Sequence, residues 1–281
     1  MLGTRILTAV VLIPSTLAAL FWLGPRGWGV VTLAVVIIAA MEWADLAAYP
    51  RVAWVIFVAI TGSIGLNLLF VPASGFAPQG GWPAAIPLVV CGPATLFWVL
   101  LAPAWLASGW QPESKLVLAA IGWLILIATW VAVVQIQARS PGLLLALMAI
   151  VWIADTFAYF TGRAFGKRKL APEISPGKTW EGVYGALLAV GLYALALLWL
   201  APHAGFASAQ SLTAVAGWLA VALGLTALSI VGDLFESQLK RQRGVKDSGR
   251  ILPGHGGVLD RIDALLAAMP AAALVVQYAI R

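Results

Sequence analysis

The sequence predicts an all-α, polytopic integral membrane protein, and three observations predict it. Hydrophobic residues make up 62% of the 281 positions and charged residues only 10%, whereas a soluble domain carries about 25% charged residues. Mean hydropathy is +0.96. Roughly nine stretches along the chain reach the ~20 largely apolar residues that a spanning helix needs.

In chain order these stretches lie near 6–23, 30–48, 52–71, 84–107, 116–136, 141–160, 182–200, 212–232 and 262–280. The first has Arg5 ahead of it, but its length and the helices that follow favour an uncleaved anchor over a signal peptide. Glu42 and Asp45 close the second stretch and are expected to be solvated near the interface. The connection VPASGFAPQGGWP, residues 71–83, is rich in Gly and Pro and reads as turns outside the hydrocarbon. Trp82, Trp105 and Trp110 fit an interfacial aromatic belt. Cys91 is the single cysteine. It lies in an apolar run, excludes an intramolecular disulfide and reads as a small buried residue.

The balance of basic residues sets the orientation. With the N-terminus cytoplasmic, the cytoplasmic connections hold Arg5, Arg51, Lys115, five residues within 163–178 and six within 240–261, fourteen in all. The opposite side holds three: Arg26, Arg139 and Arg281. This places a multi-pass protein in the inner or plasma membrane with its polar loops in the cytoplasm. The net charge of +6 is accounted for by this topology and by anionic lipid or nucleotide phosphates, with no nucleic-acid partner expected.

The chain divides by polarity. Residues 1–140 carry few ionisable groups and read as a scaffold that faces lipid or forms a homodimer. Residues 141–281 read as a catalytic transmembrane unit with cytoplasmic-facing polar loops at 161–181 and 233–261. Asp155, Thr156, Tyr159 and Thr161 enter the helix ahead of the first loop, and an intramembrane acid is costly enough to imply a polar cavity. Within that loop, Ser175, Lys178 and Thr179 precede Glu181. A P-loop needs glycine at position 172, which is Pro172, so that motif is excluded. Hydroxyls, an ammonium and backbone amides at a helix start still suit phosphate.

The second loop concentrates the chemistry: between Asp233 and Asp263 stand five of the eleven acids and six of the seventeen Lys and Arg residues. Asp260 and Asp263 share a helix face at i,i+3, so both can point at one divalent ion while Arg261 turns away, with Asp233 as a third carboxylate. Gly254, Gly256 and Gly257 surround His255 ahead of that helix. They let backbone approach a ligand closely, while the helix N-terminus offers N–H groups to an anion and His255 a further hydrogen bond. Upstream, Ser237, Lys240, Arg241, Lys246 and Asp247 form a cluster in which the cations hold phosphates. Carboxylates for Mg²⁺, a glycine cradle and a basic cluster together describe transfer of a phosphorylated group.

At these residues the chain resembles the phosphatidate cytidylyltransferase (CDP-diacylglycerol synthase) family. The signature Ser-x-x-Lys-Arg-x4-Lys-Asp, followed by Leu-Pro-Gly-His-Gly-Gly-x-x-Asp-Arg-x-Asp, runs unbroken from Ser237 to Asp263. A second stretch, AYFTGRAFGKRKLAP with SPGKTWEG, is also similar, whereas the N-terminal half resembles the family only in hydropathy. The resemblance implies CTP and phosphatidate as substrates, CDP-diacylglycerol and pyrophosphate as products, and Mg²⁺ on Asp233, Asp260 and Asp263 with K⁺ as a second cation. It also implies that Lys240, Arg241, Lys246 and His255 handle phosphates and that Ser175, Lys178, Thr179 and Glu181 form a second motif. A CDP-alcohol phosphotransferase would open on Asp-Gly-x-x-Ala-Arg, which the sequence lacks. A transporter would place paired charges near mid-bilayer, whereas most charges here fall in two connections.

Overall fold

The computed structural model describes residues 2–77, 80–200, 211–251, 254 and 256–278, with side chains from residue 10 onward. Among the described residues nine helical rods run in chain order: α1 (Leu2–Trp22), α2 (Pro25–Leu46), α3 (Arg51–Phe70), α4 (Ala85–Leu96) continued as α5 (Ala102–Ser108), α6 (Lys115–Arg139), α7 (Pro141–Phe165), α8 (Trp180–Leu200), α9 (Leu212–Gln242) and α10 (Leu259–Tyr278). A π-helical turn, Phe97–Leu101, joins α4 to α5. Among the described residues seven helices are long and apolar enough to cross a membrane: α2, α3, the α4–α5 rod, α6, α7, α8 and α9.

The starts and stops follow local chemistry. Ser114, Ser140 and Ser211 each accept a hydrogen bond from a backbone N–H of the helix they precede, those of Val117, Leu143 and Ala214, which satisfies donors that a helix start leaves open. Pro25 and Pro141 begin helices at the position where a missing N–H costs nothing.

The loop between α7 and α8 departs from an all-helical reading. It folds as a small antiparallel hairpin, β1 (Lys169–Ala171) and β2 (Ser175–Thr179), in which Lys169 pairs with Thr179 and Ala171 with Ser175. A polar connection beyond the hydrocarbon has water for its unpaired edge, so a two-stranded ribbon is permitted there and not inside the bilayer.

Helix α6 runs buried through the bundle and contacts α2, α4, α7 and α10. Tryptophan indoles tie the helices together: Trp130 Nε1 donates to Gly29 O at 3.0 Å, and Trp43 Nε1 to Leu118 O at 3.1 Å. The belt expected at the interface is therefore corrected. Trp82 and Trp105 are buried, Trp82 donating to Leu68 O, and of the three only Trp110 is exposed. An indole N–H in apolar surroundings gains more from a backbone carbonyl inside the protein than from the lipid surface.

The connections carrying most of the charge converge at one end of the bundle. Lys115 Nζ donates to Ala47 O at 2.7 Å, Gln242 to Trp110 O at 2.9 Å and Arg241 Nε to Ile174 O at 3.2 Å. Helices α9 and α10 cross closely here because position 232 is glycine: a Cβ at Gly232 would stand 2.6 Å from Asp263 O and 2.9 Å from Ala267 Cβ.

This contact predicts opposite signs for one chemical change on one helix. Gly232→Ala overpacks the crossing and should cost about 1–3 kcal/mol, lowering the thermal unfolding midpoint in detergent. Gly224→Ala, where nothing lies within 4 Å of the added carbon, should leave the midpoint unchanged or raise it through helix propensity.

Candidate active site

Four elements place charged side chains at the shared end of the bundle. Lys178 on β2 reaches α9, its Nζ 2.6 Å from Asp233 Oδ2, and Ser237 donates to Asp233 Oδ1 at 3.3 Å from the next turn. Asp263 on α10 has Asp233, Lys240 and Asp155 as electrostatic neighbours, and Asp155 on α7 has Asp233 and Lys178. The two polar connections, distant in sequence, therefore meet around Asp155, Lys178, Asp233 and Asp263. Asp155 is exposed at the bundle surface and has no ion pair with Arg163, whose guanidinium instead takes the Tyr159 hydroxyl at 3.1 Å.

Asp260 corrects the expected trio of metal ligands. Its Oδ2 accepts the N–H groups of Ser248 at 2.9 Å and Gly257 at 2.8 Å, and its Oδ1 lies 2.6 Å from Lys240 Nζ. The carboxylate is committed to the loop before α10, and among the described residues no three His, Cys, Asp or Glu side chains gather as a metal-binding group. Asp233 and Asp263 alone still fit Mg²⁺, which is commonly held by one or two carboxylates and completed by water and substrate phosphates.

Lys240 departs from its expected role as an open phosphate ligand. It is only 9% exposed, lying between Asp260 and Glu236, with which it forms an i,i+4 ion pair. A buried ammonium requires such partners because desolvation otherwise outweighs the attraction.

The amides at the start of α10 are likewise engaged. Gly257 donates to Asp260, Val258 and Leu259 donate to Glu42 at 3.0 and 2.7 Å, and Asp260 N donates to Ser248 Oγ at 3.3 Å. The expectation that this N-terminus offers free N–H groups to a substrate anion is therefore overturned. Gly254 and Gly256 do adopt the left-handed region, with φ of 79° and 86°, a backbone turn that glycine makes without strain. His255 lies outside the described residues.

The remaining candidates divide between open and structural positions. Arg241, Lys246, Asp247 and Arg261 are exposed. Arg241 also donates to Val245 O at 3.2 Å, and the Asp247 side chain flanks Gly256. Ser175 is half-buried in the hairpin. Thr179 is buried and accepts Gly182 N–H at 3.2 Å, so it caps α8. Glu181 accepts the N–H groups of Lys167 at 3.0 Å and Arg168 at 3.2 Å, which clamps the entry to the hairpin.

Three residues were missed in the sequence. Glu42, expected to be solvated, is 2% exposed and also accepts the Ser248 hydroxyl at 2.9 Å. Its signal was an acid inside an otherwise apolar helix. Glu236 was legible as the i,i+4 partner of Lys240. Ser248 offered no pattern, since only the folded loop brings it to Glu42.

Comparison with known proteins agrees along the whole chain. The sequence pattern described as the cytidylyltransferase family matches residues 3–279. A phosphatidate cytidylyltransferase of Pseudomonas aeruginosa is 40% identical over 281 residues, covering 96% of this chain and 95% of the relative. Those of Haemophilus influenzae and Brucella abortus are 34% identical over 293 residues and 36% over 272, covering 96% and 95% of this chain and 96% and 90% of the relatives. Since the match includes the N-terminal helices as well as the polar loops, the chain belongs to the cytidylyltransferase family.

Proposed function

We propose that the protein transfers the cytidylyl group of CTP to phosphatidate, releasing CDP-diacylglycerol and pyrophosphate. The observation that carries this reading is the meeting of Lys178, Asp233 and Asp263 from two connections at one end of a membrane bundle. The relatives' shared activity supplies the substrates. Among the described residues no side chain is poised as a nucleophile with its own base, and the proposed reaction requires none. A phosphate monoester has a second pKa near 6, so a non-bridging oxygen of phosphatidate is already ionised near neutral pH.

That oxygen attacks the α-phosphorus of CTP in line. The new P–O bond forms as the bond to the bridging oxygen breaks, and pyrophosphate leaves with the electron pair. The chain's task is positioning and charge compensation. Asp233 and Asp263 would hold Mg²⁺, which supplies charge neutralisation to the phosphate oxygens when bound; K⁺ would be a second cation. Lys178 orients Asp233 and adds a positive charge beside Asp155. Arg241 and Lys246 are open to phosphate oxygens, and His255 is proposed as a further phosphate ligand. Lys240, held by Glu236 and Asp260, fixes α9 to α10 and contributes its charge from below.

The polar end is proposed to face the cytoplasm, where CTP is found, with residues 141–281 forming the catalytic unit and residues 1–140 its scaffold and any homodimer contact. The acyl chains stay in the bilayer while the phosphate reacts at its surface.

Purified protein given labelled CTP, Mg²⁺ and phosphatidate should yield a cytidine-containing lipid and pyrophosphate. A phosphorylated lipid without cytidine would make it a kinase instead. Asp263→Asn and Asp233→Asn should each lower turnover at least a hundredfold while keeping the thermal midpoint; normal turnover in both would remove them from the site. Orientation is readable with thiol labelling, because Cys91 is buried and gives no background. Arg250→Cys in spheroplasts should resist a membrane-impermeant maleimide until the cells are opened, whereas Ala73→Cys should label at once. The reverse pattern would invert the topology.

A further inference from the structure

Glu42 lies near the end of α2, outside the two polar connections that carry the charged signature, yet its carboxylate is only 2% exposed. It carries no ion pair among the described residues. Its charge is compensated by three hydrogen-bond donors, the Val258 and Leu259 amides and the Ser248 hydroxyl. Two of these are amides at the start of α10, Leu259 being its first residue and Val258 the residue before it, where the helix dipole favours a negative group. An N-cap ordinarily comes from the residue just before the helix. Here it comes from α2, 216 residues away from Val258.

The cap is interlocked with Asp260. Ser248 donates its hydroxyl to Glu42 and its N–H to Asp260, while its oxygen accepts Asp260 N–H. The surrounding chain fits this arrangement closely, since a Cβ on Gly249 or Gly257 would collide with the Glu42 carboxylate where it stands. The support beneath Glu42 is firm as well. Trp43 and Ala47, one and five residues further along, are tied to α6 through Leu118 O and Lys115 Nζ.

We propose that Glu42 is a positioning residue for the transfer reaction: it holds the glycine turn and the start of α10 in the register that presents Asp263 beside Asp233. It touches no substrate. This inference rests on the cytidylyl-transfer reading for its kinetic consequence, but the cap itself has a separate readout.

Glu42→Gln is the sharpest test, because it keeps shape and volume while turning one acceptor into a donor facing N–H and O–H groups. Amide hydrogen exchange on the full-length protein in detergent should lose protection at Val258 and Leu259 while α6 stays protected. Turnover at saturating CTP should fall at least tenfold, and the Mg²⁺ concentration for half-maximal rate should rise at least threefold. Ser248→Ala removes only the hydroxyl and should give a smaller loss. Combined with Glu42→Gln, it should add less than the product of the two single effects, because both break the same bond.

Unchanged protection at Val258 and Leu259 would overturn the cap. Lost protection with unchanged kcat and Mg²⁺ dependence would overturn the positioning role, and so would loss of protection throughout α6 together with additive effects in Ser248→Ala. Absence of cytidylyl transfer by the unaltered protein would instead defeat the functional reading, and the exchange measurement would still decide the cap.

Discussion

The ion pairs of Lys240 with Glu236 and Asp260 are the constraint around which the polar end is organised. They join α9 to α10 at the point where both helices carry charge, and they do so with the ammonium only 9% exposed. Removing both acids would leave a desolvated, unpaired cation, which is far costlier than loss of a surface pair. From this junction the rest follows in sequence. Asp260, fixed by Lys240, gathers the amides of Ser248 and Gly257; Ser248 reaches Glu42; and Glu42 closes the first turn of α10. Two turns earlier on the same face of α9, Asp233 takes Lys178 and draws the hairpin against the bundle.

The bilayer-spanning pattern was legible because hydrocarbon admits little but helices, and each apolar stretch read from the sequence coincides with a helix of the structure. The convergence of the two basic connections was legible too, since topology places both at one end. The duties of individual polar residues were harder to read. Thr179 and Glu181 have the composition of a phosphate nest but spend their oxygens on the backbone of Gly182, Lys167 and Arg168. Spacing along a helix says which side chains share a face; it does not say whether that face meets a ligand or another segment's amides. Asp260 and Asp263 are the clearest instance, adjacent on one face yet committed to different neighbours.

The aromatic belt expected from Trp82, Trp105 and Trp110 differs for a related reason, and Trp43 and Trp130, for which the sequence carried no expectation, show the same use of the indole as Trp82. Hydropathy statistics assign tryptophan to the membrane surface, but in Trp43, Trp82 and Trp130 the indole N–H meets a carbonyl of a neighbouring helix. A helical carbonyl retains a lone pair after its own ladder bond, so an indole can join two helices without disturbing either.

Helix α9 has 31 residues, about 46 Å at the α-helical rise, while a hydrocarbon core is about 30 Å thick. With Leu212 at one hydrocarbon boundary, the other falls near Gly232, and the final turns run on past the headgroups. The helix is thus a ruler that crosses three solvents. With α9 along the bilayer normal, Asp233 would stand where acyl chains end, Ser237 and Lys240 at the depth of lipid phosphates, and Gln242 in water. A water-soluble nucleotide and a lipid can then approach the same few turns from opposite directions, each without leaving the phase that dissolves it.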